Sequence, residues 1–414
     1  MKNLTNTRNT KLRNALYIGT LCAVSYLAVY FARNILSAVT PQMVETGNFT
    51  REYIGRASSV YFIFYAVGQL INGIIGDKIK AKYMLSLGLL FAGVTNLIFS
   101  LIAVSSPGAA LFVYGLTGFF LAMIYGPMTK VVAENTDPIY TTRCSLGYTF
   151  ASFFGSPLAG VVAGILAWQG VFALSSIILF VMAVCCFGFF VYFEKNGIVK
   201  YGQFKSERAG GEKLSFIESI RVLCKHRIIK FSIISMLTGV VRTSVVFWLP
   251  TYISDHLGFS SKDSALIFSI ATLVISASAF IAVFIYERLG HNMDKTILLM
   301  FSLATVFFIC TYFIKFAVVN IIFMTLAVMA SNSAATMLWS KYCPSLRDTG
   351  VVSSATGFLD FLSYMAAAIS NVVFGKAVDA IGWKNLIAVW FGLMIVGVIV
   401  ALPYRRWRTQ PGDC

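Results

Sequence analysis

Runs of 20 or more mostly apolar residues recur along the chain, parted by short polar stretches. About 20 helical residues cross the hydrocarbon core of a bilayer, so each run predicts a membrane-spanning helix. The pattern predicts spans near 14–40, 53–76, 83–104, 109–133, 145–167 and 171–193. After a polar segment, further spans are predicted near 229–253, 264–286, 296–316, 318–340, 350–378 and 385–403. The expected fold is an all-α membrane protein with 12 transmembrane helices in two six-helix, pseudo-symmetric bundles. Its parts would be a tail at 1–13, a bundle at 14–193, a linker at 194–228, a second bundle at 229–404 and a tail at 405–414. The linker holds Gly210-Gly211 and many Lys and Glu, with a short amphipathic helix expected around Leu214–Cys224.

The polar residues inside these runs are not scattered. Tyr26, Tyr30, Arg33 and Ser37 follow one another at intervals of 4, 3 and 4, which puts them on one helix face. Helix 2 has such a stripe in Ser58, Tyr61, Tyr65, Gln69 and Asn72, helix 5 in Ser145, Tyr148 and Ser152, and helix 11 in Ser353, Thr356, Asp360 and Tyr364. Helices 6 and 12 are nearly featureless. Stripes suit helices that line a wet cavity, and plain helices suit a scaffold facing lipid. Single Ser and Thr residues can instead bond to their own backbone or join neighbouring helices. Gly160 and Gly164 have the spacing of a close helix contact.

Arg33 has no acid near it in its own segment. A lone arginine at the centre of a span costs about 3 kcal/mol on insertion scales, so it should face protein or water. The second half repeats the device with Arg242, and each arginine precedes a proline by eight residues, Pro41 and Pro250. We read two related halves, each giving one cation to a shared site. Two other readings stay open at this point. Arg33 could snorkel outward, and Arg242 could pair structurally with Asp360 or a backbone carbonyl.

Composition agrees with a membrane protein: 58% of residues are hydrophobic and 12% charged, against roughly 45–50% and 25% in soluble domains. The formal charge of +16 could suggest nucleic acid, but the basic residues lie between apolar segments. Of the 33 Lys and Arg, 25 fall on one side of the expected membrane, which places both termini in the cytoplasm by the positive-inside rule. Nucleic-acid binding is excluded as a reading. The eight cysteines lack disulfide or zinc spacing across an outer loop. There is no nucleophile elbow, P-loop or metal-spaced ligand set, so neither an enzyme nor a metal or cofactor is expected.

After helix 2 the chain reads Gly73-Ile-Ile-Gly-Asp77-Lys78. This resembles the cytoplasmic signature of the major facilitator superfamily, in which an acid at a helix end latches onto a loop and changes partners between states. Within that superfamily the chain is similar to the organophosphate:phosphate antiporters, the glycerol-3-phosphate and hexose-phosphate transporters. Tyr26, Tyr30, Arg33 and Pro41 carry the likeness in helix 1, Tyr65 and Asp77 in helix 2, and Tyr125, Pro127 and Lys130 in helix 4. Arg242, Trp248, Pro250, Thr251 and Tyr252 carry it in helix 7, and Gly375, Val378, Asp379, Gly382 and Trp383 at the exit of helix 11.

The resemblance implies the major facilitator fold, with two arginines, one per half, holding a phosphoryl group. Those roles fall on Arg33 and Arg242, with Tyr26, Tyr30, Tyr65 and Tyr125 lining the site and Tyr148 and Asp360 beside it. The sequence also departs from the family. Asn34 and Gln69 stand where lysines are common, Ala151 stands near the place of a site histidine, and Asp360 replaces a small residue. The expected function is exchange of a phosphate ester for inorganic phosphate by alternating access. The alternatives are a proton-coupled symporter of a carboxylated solute such as a sugar acid, and a membrane sensor of sugar phosphate. The expected partners are that small anion and the lipid bilayer, around a monomer in the inner membrane.

Overall fold

The computed structural model describes residues 2–76, 79–201, 224, 226–346 and 352–402. Asp77, Lys78, the linker from 202 to 223 and the tail from 403 lie outside the described residues. The first half is α1 (Lys2–Glu45), α2 (Arg51–Gly76), α3 (Ala81–Ile102), α4 (Pro107–Leu121), α5 (Tyr125–Asn135), α6 (Pro138–Ser152), α7 (Gly155–Ile165) and α8 (Trp168–Lys195). The second half begins with α9 (Ile228–Gly239), a π-helical turn (Val240–Val245) and α10 (Val246–Asp255). It continues with α11 (Ser261–Ser276), α12 (Ser278–Arg288), α13 (Met293–Phe313) and α14 (Ala317–Met337). A second π-helical turn (Leu338–Tyr342) precedes α15 (Val352–Ala401).

Local chemistry sets several of these starts. Pro107 and Pro138 sit in the first turn of α4 and α6, where a missing N–H costs nothing. Ser260 and Asn292 cap α11 and α13 by accepting from the backbone N–H of Asp263 and Lys295.

Eleven helical segments among the described residues are long and apolar enough to cross a membrane, where hydropathy led us to expect twelve in two sets of six. The difference lies at the end of the chain. Among the described residues, the stretches expected as separate spans at 350–378 and 385–403 join in α15, where two helices run together across a kink at Gly382, and the last apolar segment is Ala355–Ala401, 47 residues. Lys376, Asp379 and Lys384 dilute the apolar pattern there and suggested a loop, but the backbone stays helical through them. The one non-helical residue inside α15 is Gly382, at φ 75 and ψ 165, a conformation open to glycine almost alone. At 1.5 Å per residue the segment would measure about 70 Å if straight, over twice a bilayer core, so the bend at Gly382 is what lets it fit.

Packing brings the site together. In the first half α1 lies on α6 and α7, α2 on α4, and α3 on α8; in the second, α13 packs on α14 and α15, and α9 on α15. The two halves meet where α2 lies on α15 and α7 on α11. Gly160 and Gly164 face α11 in that second seam, Gly160 so close to Ala265 and Ser269 that a Cβ would collide with them.

Candidate functional site

Arg33 projects from α1 into a box of aromatic rings. Its guanidinium carbon lies 5.4 Å from the ring centre of Tyr30, 5.3 Å from Phe62, 5.0 Å from Tyr65 and 5.0 Å from Tyr364. Its Nη1 donates to the Tyr364 hydroxyl at 3.1 Å. Tyr364 belongs to α15, so this bond crosses between the halves. The half-buried side chain is turned to the middle of the molecule rather than out along its helix. Tyr364 is held in turn by Phe62, stacked at 6.0 Å, and by the edge of Tyr65 at 5.1 Å.

Arg242 stands on the π-helical turn between α9 and α10. Such a turn widens the helix by one residue and is common at functional sites, because it re-aims a side chain out of the regular register. The guanidinium carbon lies 5.9 Å from the centre of the same Tyr364 ring, and Nη2 donates to Ser363 Oγ at 3.4 Å. The two guanidinium groups therefore flank one tyrosine from either half.

Asp360 lies one turn before Tyr364 in α15. It lines a cleft of about 80 Å³ together with Ala66, Gln69, Gly357 and Tyr364. Its carboxylate is within electrostatic reach of Arg242 and Arg33. Among the described residues no ion pair within 4.0 Å engages Arg33, Arg242 or Asp360. The arrangement is two cations and one carboxylate near each other and not neutralised by direct contact.

The remaining expected residues form an aromatic layer beside this group. Tyr26 contacts Tyr30 at 4.9 Å, Tyr125 at 5.6 Å and Tyr148 at 5.9 Å between ring centres. Tyr148 donates its hydroxyl hydrogen to Ser145 Oγ at 2.9 Å. Tyr125, the first residue of α5, is 41% exposed and so is the most open member of the layer. Asn34 turns away and donates to the Tyr30 carbonyl oxygen at 2.6 Å. Gly73 lies within α2, and its expected partners in the signature, Asp77 and Lys78, are outside the described residues. Sequence reasoning placed Tyr364 in a polar stripe without giving it a role, and it missed Phe62 and Ser363. The four-residue step from Asp360 to Tyr364 was the available signal; Phe62 offered none.

The sequence profile of the Major Facilitator Superfamily matches residues 22–354. The membrane sensor protein UhpC of Salmonella typhimurium is 22% identical to this chain, over 92% of it and 89% of its own length. The glycerol-3-phosphate transporter of Bacillus subtilis is 21% identical over 96% and 93% of the two chains, and the hexuronate transporter of the same organism 22% over 85% and 85%. Among solved structures, a bacterial homologue of the human lysosomal transporter Spinster, inward-facing and unoccupied, superposes with a TM-score of 0.77 at 13% identity. That superposition covers 94% of this chain and 96% of the other, and it speaks for the fold alone.

Proposed function

The chain belongs to the Major Facilitator Superfamily, and on that premise we propose that it moves a small organic acid together with a proton. The superfamily is one of carriers rather than enzymes, and the chain is a secondary transporter of a small organic anion working by alternating access. The finer reading concerns charge. Arg33 and Arg242 contribute two positive charges and an ionised Asp360 removes one. A proton on Asp360 and a singly charged carboxylate entering together leave that net charge of one unchanged, where a proton and a phosphate dianion would not. The observation that supports the proposal is Asp360 in the cleft lined by Tyr364, within electrostatic reach of both arginines.

Each arginine offers a planar fork of donors that stays charged at any working pH. A carboxylate entering from the cleft would take one fork from each half. Asp360, half-buried in the membrane interior, is costly as a free carboxylate and is a candidate for carrying the proton. With solute and proton bound, the site has two cations facing one anionic guest, and the halves can reorient around it. Only a solute with higher affinity for the intermediate state can drive that step. The aromatic layer of Tyr26, Tyr30, Tyr65, Tyr125 and Tyr148 would line the body of the solute.

A second reading is sensing. The relative UhpC, similar along nearly the whole chain, is named a membrane sensor, and a two-arginine site could report a sugar phosphate without moving it. Proteoliposomes separate the readings. Uptake of a sugar acid that requires an inward proton gradient supports symport. Counterflow of phosphate without a pH gradient points instead to exchange, and binding without flux points to a sensor.

A further inference from the structure

At the end of the molecule where α1 turns into α2, the two halves are tied together by charge. Arg51 Nη2 lies 2.7 Å from Asp255 Oδ2, and its Nη1 lies 2.9 Å from Asp379 Oδ1. Its Nε donates to Asp255 as well, at 2.8 Å. One guanidinium from the first half thus holds the end of α10 and the region of α15 just before Gly382. Beside it Lys376 meets Glu52 at 3.2 Å, and Glu52 also pairs with Arg56. Three positive and three negative groups balance in this layer. His256, stacked on Tyr252 at 5.2 Å, has its pKa pushed below the ordinary value by burial and adds no charge near neutral pH.

Beneath the ions the backbones themselves meet. A Cβ on Gly55 would strike the carbonyl oxygen of Asn371, and one on Gly375 the carbonyl oxygen of Arg51. Asn371 Nδ2 donates to Ser58 Oγ at 2.8 Å, and Ser37 Oγ donates to the Phe247 carbonyl oxygen at 2.7 Å, both across the halves. The opposite end differs. Lys80 and Lys82 pair with Glu194, and Arg227 and Lys230 with Asp294, each set within its own half. No ion pair between two described residues joins the halves there.

We propose that Arg51 is a gating residue, clasping Asp255 and Asp379 so that the anion site is sealed at the Arg51 end and opens toward the Lys80 end. The clasp shares its helices with the site. Asp255 follows Arg242 by 13 residues through the π-helical turn and α10, and Asp379 follows Tyr364 by 15 in α15. The Trp248 ring, on the same helix as Arg242, touches the positions of both Gly55 and Gly375. A guest that draws Arg242 toward Arg33 therefore pulls on the elements that carry both aspartates. This gating rests on alternating access and holds whichever anion is carried.

The test is labelling of two engineered thiols in the full chain, reconstituted in nanodiscs, with the native cysteines' labelling subtracted. Ser58→Cys lies buried under the clasp, and Gly357→Cys lies exposed in the cleft beside Asp360, where an added Cβ meets nothing within 4 Å. A small polar maleimide should label Gly357→Cys fast and Ser58→Cys slowly. Adding Arg51→Gln should raise the Ser58→Cys rate at least about tenfold and lower the rate at Gly357→Cys. Asp255→Asn with Asp379→Asn should do the same, which covers the case of a poorly folding Arg51→Gln, and Arg51→Lys should fall between. Unchanged labelling at Ser58→Cys, or a rise at both positions from simple loosening, would overturn the assignment.

Discussion

Arg33 is stable in the membrane interior without an acid, and the magnitudes say why. Inserting it costs about 3 kcal/mol, while each well-placed aromatic face returns about 0.5–2 kcal/mol. Four rings within 5.4 Å and the bond to Tyr364 cover that cost without neutralising the charge, which leaves the cation available to a guest. Tyr364→Phe keeps the ring and loses the hydroxyl, so it should weaken solute affinity by about tenfold or more and lower the melting temperature by a few degrees, since one hydrogen bond to a charged group is worth about 1.5–3 kcal/mol. Equilibrium binding on the purified variant measures it, and unaltered affinity would leave the bond structural only. Asp360→Asn should abolish the dependence of uptake on a proton gradient and shift preference toward more highly charged anions. Unchanged pH dependence would remove Asp360 from proton coupling. Helical spacing made Tyr30 and Arg33 legible as one face of helix 1, the family resemblance added Tyr65 from the stripe on helix 2, and the mirrored proline distance pointed to Arg242. Phe62, Ser363 and the bridging place of Tyr364 were not legible, because their importance comes from contacts between distant segments, across the halves for Phe62 and Tyr364 and within the second half for Ser363.

Two elements are set by backbone rather than by side chains. The π-helical turn carries Arg242, and just before it Gly239 lies so close to the Ser363 backbone that a Cβ would overlap it. Gly239→Val should therefore push α9 away from α15, at a cost of about 1–3 kcal/mol. It should also displace Arg242 from its Ser363 partner, and a lower melting temperature together with weaker binding would register both effects. At the other end of α15, Gly382→Ala forces a side chain into a conformation that costs about 1–3 kcal/mol for non-glycine residues, and a fall of several degrees in melting temperature is expected. The π-helical turn was not legible beforehand, whereas Gly382 already stood out as part of the exit of helix 11. Hydropathy measures apolar length, so it found most spans to within a few residues. It has no means of telling a loop from a one-residue kink, so the two helices that run together at Gly382 read as spans parted by a loop.

At the scale of the whole molecule, the halves are fastened at the Arg51 end, and at the Lys80 end the ion pairs between described residues lie each within its own half. Between them lie two guanidinium groups around one tyrosine ring, with a carboxylate in reach of both. In the proposed carrier the solute is bound by both halves at once, so neither arginine should be dispensable and a lysine, which keeps the charge but loses the fork, should be a poor substitute. The most direct test is solute uptake into proteoliposomes by the wild-type chain, Arg33→Lys and Arg242→Lys, each shown to be folded by its melting temperature. Both variants should retain the fold and lose at least about 90% of transport. Wild-type uptake by either one would contradict a site in which the two halves share a single anion.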